Sequence, residues 1–143
     1  MILFSGDAME KLNIKEVLEN AKTIAVVGLS EKDGRTSNRI GKYLQINGKY
    51  RIIPVNPNAD EIFGEKVYKS LLDIPSEIRI DIVNVFRRSE FLEEVARDAV
   101  ARGCGAFWAQ LGVYDEKAAK ILEEAGIPFI MNRCIFVEHQ NHI

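Results

Sequence analysis

Five times the chain passes through a short apolar run that stops at a polar or glycine turn, and between those runs apolar residues recur at helical spacing. Few folds accept that alternation. The runs are Thr23-Ile24-Ala25-Val26-Val27, Arg51-Ile52-Ile53-Pro54-Val55-Asn56, Asp81-Ile82-Val83-Asn84-Val85-Phe86, Ala106-Phe107-Trp108-Ala109 and residues 127–131. The first is apolar at every position after Thr23, as a strand covered on both faces must be. Between the runs, Ser37 opens a helix carrying Ile40, Tyr43 and Leu44 to a stop at Asn47-Gly48. Ser89 opens a second, with Leu92, Val95, Ala96 and Ala99 on one stripe and Gly103 as its stop. Asp115 caps a third, with Ala118, Ala119, Ile121 and Leu122 leading to Gly126. A further helix is expected over residues 8–21, while residues 57–79 are less regular. Strand-helix alternation with short connections implies right-handed crossovers. The expected fold is α/β, a Rossmann-like doubly wound parallel sheet of five strands with helices on both faces. Pro54 is awkward in a central strand and is expected where ladder pairing ends.

The 143 residues suit one domain, 1–143, with its core over about 22–139. A hydrophobic share of 47% and a charged share of 28% are globular values and leave no disordered tract. The formal charge of -2 argues against a general basic surface for nucleic acid. No apolar run reaches membrane-spanning length, and residues 1–20 are too acidic for a signal peptide. Cys104 and Cys134 have neither the density nor the spacing of a disulfide scaffold or zinc site. These features together predict a reduced, cytoplasmic protein.

In a doubly wound sheet, ligands sit beyond the carboxyl ends of the strands, near the reversal in strand order. Here those ends are Gly28-Leu29-Ser30, Asn56-Pro57, Phe86-Arg87-Arg88, Gln110-Leu111-Gly112 and Asn132-Arg133-Cys134. The first end leads through residues 31–36 into a helix start. Strand, glycine turn and helix N-terminus together offer free backbone N–H groups and a positive dipole end to an anion. Arg35, Arg39, Lys42, Arg87, Arg88 and Arg133 add cations, and the planar fork of Arg suits phosphate. Lys42 reads as a solvated helix face. A basic Arg39 in a first helical turn works against the dipole, which favours a ligand role for it. A dinucleotide fingerprint would need G-x-G-x-x-G and an acid after the second strand. The chain has Gly28-x-Ser30 and Asn56-Pro57 at those places, so NAD(H) is the second choice of ligand.

In these segments the chain resembles the small stand-alone CoA-binding domain proteins, whose fold is similar to the CoA-binding domain of the succinyl-CoA synthetase α subunit. The resemblance runs from about Lys22 to His139 through Ile24-Ala25-Val26-Val27-Gly28-Leu29-Ser30, Arg35-Thr36-Ser37-Asn38-Arg39, Ile53-Pro54-Val55-Asn56-Pro57, the third run with Arg87, Gln110-Leu111-Gly112 and Asn132-Arg133-Cys134. It implies coenzyme A, or an acyl-CoA, as ligand. By position it implies that Gly28, Leu29 and Ser30 approach the ligand with their backbone, and that Arg35, Ser37 and Arg39 meet its phosphates. Asn56 and Pro57 would then border the adenosine half, with Phe86, Arg87, Gln110, Leu111, Gly112 and Arg133 along the rest of the groove.

The leading expectation is a CoA-binding protein without a catalytic apparatus, acting as carrier, store or sensor; the alternative is an NAD(H)-binding sensor or dehydrogenase-like module. His139 and His142 lie in the C-terminal segment, where a solvent-exposed role is expected, and no Ser-His-Asp order or acid pair stands out. Cys134 reads first as a packing residue at a strand end, and more sharply as a thiol partner for the CoA sulfur. Cys104, between Gly103 and Gly105, reads as structural. Tyr114, Phe136 and Val137 are candidates for a homodimer contact or for docking on a partner acyl-CoA enzyme.

Overall fold

The apolar runs do become the sheet. In the computed structural model, residues 9–10 and 12–143 are described. The elements in chain order are β1 (Met9–Glu10), α1 (Ile14–Asn20), β2 (Thr23–Val27), α2 (Thr36–Ile46), β3 (Arg51–Val55), β4 (Glu61–Ile62), β5 (Glu65–Lys66), β6 (Ile82–Val85), α3 (Leu92–Arg102), β7 (Ala106–Ala109), α4 (Glu116–Glu124), β8 (Phe129–Met131) and α5 (Ile135–His142). The main sheet has the order β1-β8-β7-β6-β2-β3, and β4 and β5 form a separate hairpin. β3, β2, β6, β7 and β8 are all parallel. They are the five expected strands. β1 adds a short antiparallel edge, Met9 opposite Met131 and Glu10 opposite Ile130. The helix expected over residues 8–21 is therefore shorter, since two of those positions pair with β8 and residues 8 and 11 lie outside the described residues. Asn13 starts α1 by accepting the Glu16 N–H at 3.0 Å.

Strand order reverses between β2 and β6, so the crevice of a doubly wound sheet falls over the ends of those two strands. Tyr68 explains the irregular segment that follows β3. Its N–H donates to the Pro54 carbonyl at 3.0 Å and its carbonyl accepts the Asn56 N–H at 2.9 Å, forming a one-residue parallel bridge. That bridge stands where a third strand of the Rossmann order would stand. Backbone N and C=O of one residue point to the same side of a strand, so the Pro54 nitrogen faces this outer side, away from β2. The proline is accommodated because β3 is an edge strand there.

Alternate residues of the strands build two cores. Ala25, Val27, Val83, Val85, Phe107 and Met131 pack under α3 and α4 with Leu92, Ala96 and Leu122. Ile24, Val26, Ile82, Trp108 and Ile130 pack under α1, α2 and α5 with Leu18, Leu44 and Ile135. The C-terminal segment is thus not a loose tail. Phe136 meets the Tyr43 ring edge-on at 4.6 Å between centroids, and His139 is buried. The His139 ring nitrogen Nδ1 lies 2.9 Å from the Tyr43 hydroxyl, so the solvent-exposed role expected for this histidine is corrected. Burial holds its pKa below the usual histidine value. Tyr114 and Val137 remain exposed. Among the described residues, no helix is long and apolar enough to cross a membrane.

Candidate functional site

β2 ends at Gly28, whose φ of +86° lies in the left-handed region. A Cβ there would stand 2.7 Å from the carbonyl oxygen of Phe86, the residue that follows β6. The glycine is therefore required by the crossing of two strand ends of the chain itself. The loop after it is tied down from α2. Ser37 Oγ accepts the Ser30 N–H at 3.0 Å, and Asn38 Nδ2 donates to the Ser30 carbonyl at 2.8 Å. Both side chains are buried, so the hydroxyl expected to meet a phosphate has its oxygen engaged in shaping the loop. What remains open is the helix end itself. Arg35 occupies the cap position without a side-chain cap, the first turn carries no acid, and the N–H groups of Thr36, Ser37 and Asn38 have no acceptor among the described residues. Arg35 and Arg39 are exposed there, with no ion pair among the described residues. An unfilled helix N-terminus with two guanidinium groups beside it is an anion site in physical terms.

Next to it runs a groove of about 530 Å³. Thr36 and Ile40 of α2 form one wall. Phe86, Arg87, Arg88 and Ser89, following β6, form the floor, and residues 110–113, following β7, form the other wall. Cys134, at the start of α5, closes one end. The Arg87 guanidinium stacks on the Phe91 ring at 4.2 Å, which holds the cation without neutralising it. Arg88 pairs with Glu90 at 3.1 Å in the open. The wall after β7 is rigid because two side chains brace it with three hydrogen bonds. Gly112 at φ +84° donates its N–H to Asn132 Oδ1 at 2.7 Å, and Ser89 Oγ donates to the Gly112 carbonyl at 3.3 Å while accepting the Tyr114 N–H at 3.0 Å. Ser89 thus ties the floor of the groove to this wall, and the capping role expected of it is corrected: it lies in a short 3-10 turn before α3, which starts at Leu92 without a side-chain cap. Leu111 is left projecting at the rim.

Under the groove lies a buried polar cluster. Asn84 of β6 is opposite Val26 on one side and Trp108 on the other, within an otherwise apolar layer. Its Nδ2 donates to Gln110 Oε1 at 3.2 Å, and the same oxygen accepts the Ile135 N–H at 2.9 Å. Asn84 Oδ1 is sealed from solvent with no partner among the described residues. Trp108 Nε1 donates to the Arg133 carbonyl at 2.9 Å, fixing the turn that brings Cys134 to the groove.

The structure therefore brings Phe86, Arg87, Gln110, Leu111, Gly112 and Cys134 together, and adds Thr36, Ile40, Arg88, Ser89 and Val113. Other expected residues lie outside these walls. Leu29 is fully buried, and its carbonyl accepts Asn56 Nδ2 at 2.8 Å. The Asn56 carboxamide oxygen takes the Asn58 N–H at 2.7 Å, so both ends of this amide serve the turn after β3. Pro57 is exposed beside it, and Arg133 points to Glu138 at 3.5 Å. Cys104 lies at the opposite, N-terminal edge of the sheet, where burial pushes its thiol up to about 11. Gln110 stands in the groove as expected, but its buried partner Asn84 was not among the expected site residues. A lone asparagine inside an apolar strand run was the signal for it.

The sequence model of the CoA binding domain matches residues 22–140. The chain is 49% identical over 129 residues to the Bacillus subtilis (strain 168) protein YneT, covering 90% of this chain and 93% of that one. A solved protein of Thermus thermophilus superposes with a TM-score of 0.85 at 37% identity, over 92% of this chain and 100% of the other. The ADP-forming acetate–CoA ligase of Methanocaldococcus jannaschii is 33% identical over 121 residues. That match takes in 80% of this chain and spans 17% of the ligase.

Proposed function

The chain belongs to the CoA binding domain family, and on that premise we propose that it holds coenzyme A or an acyl-CoA at the carboxyl edge of its sheet. The phosphates rest on the N-terminus of α2 between Arg35 and Arg39, and the neutral arm follows the groove past Phe86 and Gln110. One observation carries this reading: an uncapped helix N-terminus, with two arginines that have no ion pair among the described residues, opens beside a groove lined by Ile40, Phe86, Leu111 and Val113. CoA needs that combination, several cations for its phosphates and an apolar-walled channel for its long arm. NAD(H) fits less well. The end of β3 offers Asn56, with its amide engaged at Leu29 and Asn58, where a ribose-binding acid is needed.

The proposed role is that of a CoA-holding protein, a carrier, store or sensor, with no ligase chemistry of its own. His139 is buried against Tyr43, on the helix layer away from the groove walls. Calorimetric titration of the purified protein with CoA, acetyl-CoA and NADH tests the reading. Saturable one-site binding of CoA or acetyl-CoA with none of NADH is expected. Binding of NADH with no heat from either CoA species would overturn it.

A further inference from the structure

Gln110 is nine-tenths buried, yet it lines the groove. Its orientation is dictated by its neighbours. The Ile135 N–H can only donate, so the Gln110 atom 2.9 Å from it is the carboxamide oxygen. Asn84 then has to present its own N–H to that same oxygen, which leaves Asn84 Oδ1 without a partner. The consequence is that Gln110 Nε2 is turned away from both, with no acceptor among the described residues. It is not one of the sealed, unpartnered atoms, a description that fits Asn84 Oδ1 alone among the described residues. A donor held in place at the groove wall and still open to solvent is free to exchange water for an acceptor on a ligand.

Among the described residues, no carboxylate lines the groove. The neighbours of Gln110 along it, Leu111, Val113 and Phe86, are apolar, and the cations lie toward α2 and the end of β6. A neutral donor in apolar surroundings suits a neutral acceptor. We propose that Gln110 is a specificity-determining residue that donates its carboxamide N–H to a carbonyl oxygen on the arm of the bound ligand, and that Asn84 positions it. This rests on the reading of the groove as a CoA site. Two sources supply such an oxygen: the amide carbonyls of the arm itself, and the thioester carbonyl that only an acyl-CoA has.

Calorimetric affinities for CoA and acetyl-CoA, measured on the wild type, Gln110→Met and Gln110→Glu, test the proposal. Gln110→Met removes the donor at similar length, and a loss of about three- to tenfold is expected, the range of one neutral hydrogen bond. Equal loss for both ligands assigns the arm amide; loss confined to acetyl-CoA assigns the thioester; unchanged affinity for both overturns the proposal. Gln110→Glu keeps an oxygen for Ile135 and Asn84 but turns an acceptor to the groove. Its affinity should fall further at neutral pH and recover on acidification, as the carboxyl gains a proton to donate. That variant decides the matter if Gln110→Met unfolds, and absence of recovery would then overturn the proposal. Asn84→Leu should weaken binding as Gln110→Met does, and the double variant should be no weaker than either. Additive losses would remove the positioning role. A wild type that binds neither ligand overturns the proposed function itself, an outcome distinct from a wild type that binds while Gln110→Met binds equally well.

Discussion

Gly28 and Arg39 stand within one turn-and-helix unit and should fail in opposite ways. Gly28 has a positive φ and its added Cβ would meet a backbone oxygen at 2.7 Å, which cannot swing aside as a side-chain tip could. Gly28→Ala is predicted to lower stability by about 2 kcal/mol or more, a fall in Tm of about 4–8 °C for a chain of this size. Thermal unfolding followed by circular dichroism checks it, and an unchanged Tm would show that the strand ends can separate freely. Arg39 is exposed on the first turn of α2 with no ion pair among the described residues, so its removal should leave Tm nearly untouched. Arg39→Ala should instead weaken CoA binding by about one to two decades, the loss of one charge-assisted contact of roughly 1.5–3 kcal/mol. Equal calorimetric affinity would remove Arg39 from the site. The need for a glycine at position 28 was legible in the sequence. Its reason was not, because the close approach comes from Phe86, 58 positions away, and only the pairing of β2 with β6 brings that oxygen near.

At the scale of elements, α5 depends on a ring of aromatic contacts. Tyr43 and Tyr50 meet His139 edge-on, at 5.4 and 5.8 Å between centroids, and the Tyr50 hydroxyl donates to the Leu18 carbonyl at 2.6 Å. On the same helix Glu138 faces Arg133 at 3.5 Å and His142 at 3.3 Å. Burial lowers the His139 pKa, so the unfolded chain takes up a proton at that residue before the folded one does. Stability contributed by the neutral ring is complete above the unfolded value of about 6.5 and is lost as pH falls through it, levelling once the folded protein also protonates. Thermal unfolding from pH 8 to pH 5 should show that decline, and His139→Gln should flatten it while leaving His142 in place. A parallel decline in both proteins would assign the effect elsewhere. Sequence reasoning located α4 by its local cap, Asp115, which does accept the Ala118 N–H at 2.9 Å, and α3 by its apolar stripe and its Gly103 stop, although Ser89 does not cap it. It missed α5 because that helix has no side-chain cap of its own. Its first N–H is satisfied by Gln110, which arrives from β7.

For the whole molecule, the parallel pairing and the two-sided burial of β2, β6 and β7 were readable from apolar runs broken only by Asn84. The finishing of the sheet's two sides was not. At one side the closing element is a two-residue antiparallel strand, and at the other it is the single Tyr68 bridge beyond β3. Neither has a hydrophobic period long enough to register in a sequence. Those two modest elements have a consequence for how the protein behaves in company. An open strand margin is a template on which a second polypeptide can add itself. On the outer side of β3, Tyr68 takes the Pro54 carbonyl and the Asn56 N–H, and Pro54 has no N–H to offer. Ile52 is left as the one residue of that margin facing outward without such a bond, too little to start a foreign strand. β1 covers Ile130 and Met131 on the far side. A sheet finished in this way, with its β3 margin largely occupied and a strand of two residues at the other margin among the described residues, offers a foreign chain little to pair with.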